Sequence, residues 1–268
     1  MICLYRFMQK RYAELDFLRG LAIICMVIYH FFFILDFFGV YGVDFENLVV
    51  RIFAAVVRFD FLALVGVGMV ISYYRVLGRR SVGREFRAAD RAAAIFKQWK
   101  RGAMVGACAL VVMAATYWFI PEYFVRFGIL HLIAVSIFFW SFFVEWKWVV
   151  LGLALVSFWL GWGGVDFTEI LFGYFLRDML WNIAGLDYFP LFPWMGMVGM
   201  GVFLGQVFYP KGVRCIGRAL EQQRVSERTR VIPRFRVVCF LGRHSLAVYM
   251  IHVPAILVVL WVMGLVRV

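Results

Sequence analysis

His30 stands inside an apolar stretch that opens on Arg19, in the run RGLAIICMVIYH. An imidazole can serve as a general base or as a transient acyl carrier. A guanidinium can hold phosphate oxygens. The two positions are eleven apart, close to three helical turns, so they share one face about 16 Å apart along the axis. One face of one helix thus offers an anion binder and, farther along, a base or nucleophile. Asp16 precedes Arg19 by three residues, within reach of it on a helix. Arg58, Asp60, His131 and His252 also fall in apolar stretches, and Asp36 lies near the end of the first, in FFFILDFF. Ionisable groups inside such stretches are costly, which makes each a functional candidate.

The elements that position these residues follow from composition. The 268 residues are 65% hydrophobic with mean hydropathy +0.87 and net charge +12, too apolar for a domain solvated all round. The fold class expected is all-α, a polytopic transmembrane bundle forming one domain over 1–268. Seven spans are expected at roughly 17–38, 51–74, 102–120, 127–143, 147–163, 190–208 and 241–263. The region 164–189, with its apolar EILFGYFL, leaves room for a further half-span or interfacial helix. Basic residues crowd three segments: the N-terminus with Arg6, Lys10 and Arg11, then 75–101, then 209–238. Seven spans put all three on one side, which makes that side cytoplasmic, with the N-terminus inside. The opposite connections carry Asp44, Glu46, Glu122, Asp166, Glu169, Asp178 and Asp187. The stretch 84–101, REFRAADRAAAIFKQWKR, reads as a basic helix lying on the membrane surface, or as a landing surface for an anionic cofactor such as coenzyme A. The expected location is the cell membrane, with multiple passes. A cleaved signal peptide and a disulfide are not expected, and the cysteine spacings suggest no metal site.

With this topology the candidates can be ranked by depth. At about 1.5 Å per residue, His30 lies about 12 Å, Arg58 and Asp60 about 10–14 Å, His131 about 6–8 Å and His252 about 16 Å below the outer surface. Five ionisable groups from four spans are therefore expected in the outer half of the bilayer, lining one polar cavity. For each, a structural role stands beside the functional one: Arg19 as a topology anchor, Arg58 and Asp60 as parts of ion pairs, His131 and His252 as satisfied interior histidines. Asp36 is close enough to the outer interface to be solvated or to close over the site. His244, beside Arg243, reads as a polar residue at a helix end.

The first span, RYAELDFLRGLAIICMVIYHFFFILDFFG, resembles that of the transmembrane N-acetyltransferase family typified by heparan-alpha-glucosaminide N-acetyltransferase, prokaryotic members above all. FLALVGVGMVISYYR, RFGILHLIAVS, DYFPLFPWMGMVGMGVFLGQ and LGRHSLAVYMIHVP fit the same pattern in the same order. The arginine-to-histidine spacing is also similar to that of integral-membrane acyltransferases in general. The resemblance implies transfer of an acetyl group from cytoplasmic acetyl-CoA, a donor substrate, to an amine or hydroxyl of a sugar-like or cell-envelope acceptor, without a metal. The animal enzyme uses a histidine in the outer loop after the first span; here GVYGVDFENL has none, which leaves His30.

On this reading His30 is the general base or acetyl carrier, Asp60 sets its charge state, and Arg58 steadies the developing oxyanion. His252 and His131 orient the acceptor, with Asp36 on the substrate side, while Arg19 and Arg75 hold coenzyme A phosphates. The expected partners are the lipid bilayer, acetyl-CoA and the acceptor, not nucleic acid; a homo-oligomer is compatible with the sequence. Two other readings use the same residues: a proton-coupled small-molecule transporter with a His/Asp/Arg relay, and a non-catalytic subunit with polar glue between helices.

Overall fold

Long apolar runs become helical because in lipid a helix satisfies its own backbone hydrogen bonds. The computed structural model describes residues 12–81, 85–162, 187–213 and 235–266, and every regular element among them is helical. The eight α-helices are α1 (Ala13–Phe37), α2 (Leu48–Arg80), α3 (Ala88–Phe119), α4 (Ile129–Trp140), α5 (Lys147–Trp162), α6 (Leu191–Phe208), α7 (Arg236–Arg243) and α8 (Ser245–Val262). Helices α1, α3, α6 and α8 are long and apolar enough to cross a membrane, and α4 and α5 are shorter apolar helices. Large apolar side chains such as Trp118, Trp148, Trp159, Trp162 and Trp261 point outward, as in a protein whose solvent is lipid.

The expected surface helix at 84–101 is corrected in one respect. From Ala88 onward it is not a separate element but the first half of α3, which runs unbroken into the apolar stretch to Phe119. Nothing between Arg101 and Gly102 breaks a helix, so the change from charged to apolar residues marks an environment and not a helix end. The start is set by Asp90, whose carboxylate accepts from the Arg87 N–H at 3.0 Å. The half-span sought within 164–189 lies almost wholly outside the described residues, as do most of the basic loop 209–238 and Arg6, Lys10 and Arg11.

The chain divides into two compact units. Among the described residues, the terminal unit comprises 12–61 and 235–266, and the central unit 62–81, 85–162 and 187–213. In the terminal unit α7 runs antiparallel along the start of α1. A Cβ on Gly20 would lie 1.9 Å from the Val238 carbonyl oxygen, and one on Gly242 would lie 1.8 Å from that of Asp16. Only glycine permits backbones this close, a packing common between membrane helices, where dispersion and not water exclusion drives contact. Asp16, buried at the crossing, takes the Arg243 Nε at 3.1 Å. Along the rest of α1, Ile34 and Leu35 pack with Ile256, Leu260 and Val266.

In the central unit α4 and α5 pack on α6, and α3 packs on α4. The second half of α2 meets α6 through Gly66 and Gly201, where an added Cβ would come 2.2 Å from Val198 O and 2.1 Å from Ala63 O. Buried polar groups tie the helices: Gln98 Nε2 donates to Met69 O at 2.9 Å, and Trp140 Nε1 to Met195 O at 3.0 Å. Glu145, in the turn after α4, accepts from Tyr73 Oη at 3.0 Å and pairs with Arg91 Nε at 3.0 Å.

Candidate functional site: a histidine pair in the terminal unit

The α1–α8 contact sets the site. Ile34 and Ile256 are buried in one cluster, and each lies one turn beyond a histidine, His30 on α1 and His252 on α8. Side chains four apart share a helix face, so burying the isoleucines together also brings the imidazoles together. Their ring centroids are 4.9 Å apart with the planes at 72°, edge to face. His252 is buried and His30 half-buried.

Each ring is oriented by its own helix. His30 Nδ1 lies 2.9 Å from Met26 O, and His252 Nδ1 lies 2.6 Å from Tyr249 O. A carbonyl oxygen only accepts, so in both neutral rings the proton is on Nδ1 and the lone pair on Nε2. His252 Nε2 is buried without a hydrogen-bond partner among the described residues. Pro254, two residues beyond His252, brings no N–H to the helix and leaves the Met250 carbonyl without its usual donor, loosening the turn that carries the ring. Tyr29 stacks edge to face on His30 at 5.7 Å, and Tyr249 lies 5.4 Å from His252. Two basic nitrogens held by backbone carbonyls, among aromatic walls, can take a proton from an attacking amine or hydroxyl or accept an acyl group.

The other candidates fall as follows. Asp36 accepts from the Val43 N–H at 3.0 Å and so ties down the loop after α1. Arg58 Nε donates to Ala54 O on its own helix at 3.0 Å, and Asp60 is half-buried one residue short of the end of the terminal unit's share of α2. Arg19 is a neighbour of the Asp16 carboxylate, which therefore acts on two cations, Arg19 and Arg243. The Arg243 pairing is absent from the sequence reading because the two residues are 227 apart, and no local spacing signals it. Arg75 belongs to the central unit, where its charge and that of Arg79 act on Lys97. His131 also belongs to the central unit, at the first turn of α4. His244 sits between α7 and α8, ending one and preceding the other. No group of three or more metal-ligating side chains occurs among the described residues.

These features define a helical membrane protein with two imidazoles facing each other between α1 and α8. The model of the family described as "Heparan-alpha-glucosaminide N-acetyltransferase, catalytic" matches residues 11–254, and the chain belongs to that family. Its function is accordingly of the membrane acetyltransferase type. No curated protein and no solved structure matched the chain.

Proposed function

We propose that this protein is an integral-membrane acyltransferase of the cell membrane, crossing it seven times with its N-terminus inside. It moves the acetyl group of cytoplasmic acetyl-CoA to an amine or hydroxyl of a sugar-like acceptor at the outer face. The observation that carries this reading is the facing of His30 and His252 with both Nδ1 protons committed to backbone carbonyls.

His30 is the residue that reacts. Its Nε2 takes the proton of the acceptor N–H or O–H as the acceptor's lone pair attacks the thioester carbonyl. The C–S bond breaks, and the imidazolium returns the proton to the departing coenzyme A thiolate, so atoms and charge balance. In a two-step variant Nε2 attacks the thioester carbonyl, the C–S bond breaks and coenzyme A leaves as the thiolate; the acceptor then attacks the acetyl-imidazolium, the N–acyl bond breaks, and the acceptor's proton passes to the thiolate. His252 sits edge-on to this ring and fixes its plane. Asp60 sets the charge state of His30, Arg58 steadies the oxyanion of the tetrahedral intermediate, and Asp36 serves the acceptor side.

Donor binding falls to a cation. Arg19, beside Asp16, supplies the charge that phosphates of coenzyme A need.

The test is incubation of detergent-purified protein with radiolabelled acetyl-CoA, wild type beside His30→Ala. Donor retained by both proteins, with release of free coenzyme A or covalent label in the wild type alone, is the expected result. A folded wild type that neither binds nor turns over the donor would overturn the proposal.

A further inference from the structure

At the start of α4 several buried hydrogen-bond donors have no partner among the described residues. Arg126, two residues before the helix's N-cap Gly128, is 6% exposed, and its Nε, Nη1 and Nη2 are all buried without a hydrogen-bond partner among the described residues. An isolated buried cation is among the least stable arrangements a protein can hold, and it is normally relieved by an anion. The Phe124 ring, 5.0 Å from the Arg126 guanidinium carbon, offsets part of the charge but engages none of its N–H groups. Burial lowers the Arg126 pKa from its ordinary value.

A second observation lies on the next turn. The Gly128 N–H points at His131 Nδ1, 3.3 Å away, so the neutral ring carries its proton on Nε2. That Nε2–H is also buried without a partner among the described residues. Gly128 has no side chain to cap α4, and the helix presents the positive end of its dipole here. Residues 187–189 run alongside, held by a bond from the Phe189 N–H to Phe127 O at 2.9 Å. The Asp187 carboxylate is seated over Gly128, where an added Cβ would lie 2.9 Å from its Oδ2.

We propose that Arg126, with the His131 Nε2–H and the first turn of α4, forms a binding site for a singly charged anionic oxygen group, a carboxylate or a phosphodiester. Arginine's planar fork suits two-oxygen recognition of either group. The Asp187 carboxylate adds negative charge to the same corner, which favours one ligand charge over two. Two sources supply this chemistry, the headgroup of an anionic lipid and a soluble carboxylate.

The test reads binding and not turnover, so its outcome is independent of the acyl-transfer reading. Thermal unfolding of the full chain in dodecyl maltoside is followed in two arms. One adds dioleoyl phosphatidylglycerol, with uncharged dioleoylglycerol as its control; the other adds glucuronate, with glucose as its control. At about a hundredfold excess over the dissociation constant, at least one arm raises the wild-type midpoint by about 5 °C above its control. Arg126→Gln abolishes that rise, and Arg126→Lys keeps only part of it. Without ligand, Arg126→Gln is no less stable than the wild type, because it removes a buried cation whose N–H groups have no hydrogen-bond partner among the described residues. A rise with lipid alone identifies the headgroup, with glucuronate alone the soluble acid, and with both a site that reads charge regardless of source. No rise in either arm, an equal rise in Arg126→Gln, or a ligand-free Arg126→Gln that unfolds several degrees early would overturn the proposal.

Discussion

His252 in the terminal unit and His131 in the central unit are the same side chain in similarly apolar helices, yet they present opposite chemistry. His252 Nδ1 gives its proton to Tyr249 O, which leaves Nε2 as a buried lone pair. His131 Nδ1 receives the Gly128 N–H, which leaves Nε2 as a buried donor. The difference lies in helix position. In mid-helix the nearby backbone atoms that a ring can reach are carbonyls. In the first turn they are N–H groups without intrahelical partners, and His131 at N3 takes the one at the N-cap. A basic nitrogen suits proton abstraction, and a donor suits recognition of an anion. Position along a helix thus assigns each imidazole its kind of work before any substrate arrives.

The largest test of this contrast is His30→Ala, which removes the reacting nitrogen. Acetyl transfer is expected to fall by ~10²–10⁴-fold, with acetyl-CoA retained in equilibrium binding. An equal loss from His131→Ala would erase the distinction between the two regions. Next comes the frame that holds the pair. Gly242→Ala drives a methyl group into the Asp16 carbonyl, and overpacking of this kind costs ~1–3 kcal/mol. Gly152→Ala on α5 meets nothing within 4 Å and should gain up to ~1 kcal/mol from helix propensity. Parallel thermal melts of the two variants check both signs.

A smaller effect sharpens the assignment within the pair. If His252 acts through His30, His252→Ala lowers kcat about tenfold, near 1.4 kcal/mol. The double variant should then be no slower than His30→Ala alone, because residues acting as one unit are not additive. Multiplicative losses would mean that the two rings work separately. The smallest effect belongs to His131→Ala, which removes a donor and not the reacting base: acceptor KM and kcat change by less than about twofold. Initial rates against acceptor concentration would check this.

Much of the architecture is legible in the residue order. The apolar segment expected at 190–208 is α6, Leu191–Phe208, and that at 147–163 is α5, Lys147–Trp162. The segment at 102–120 has the right C-terminal end but starts too late, because hydropathy reports where lipid is met while hydrogen bonding carries α3 back to Ala88. Arg126 went unremarked because a lone arginine at the mouth of a span reads as solvated. Its signal was available in RFGILH, a cation placed five residues before a histidine at a glycine-capped helix start.

The sequence by itself determined the class of protein, the helices, His30 as a candidate and the family. Those depend on local quantities: apolar length against bilayer thickness, and spacing against the helical turn. Tertiary structure alone decided that His30 faces His252 and that Asp16 holds Arg243, in each case a partner more than two hundred residues away. Such pairings follow from the backbone approach allowed at Gly20 and Gly242 and from the shared burial of Ile34 and Ile256. Those are properties of two surfaces fitting together, and neither helix carries that information alone.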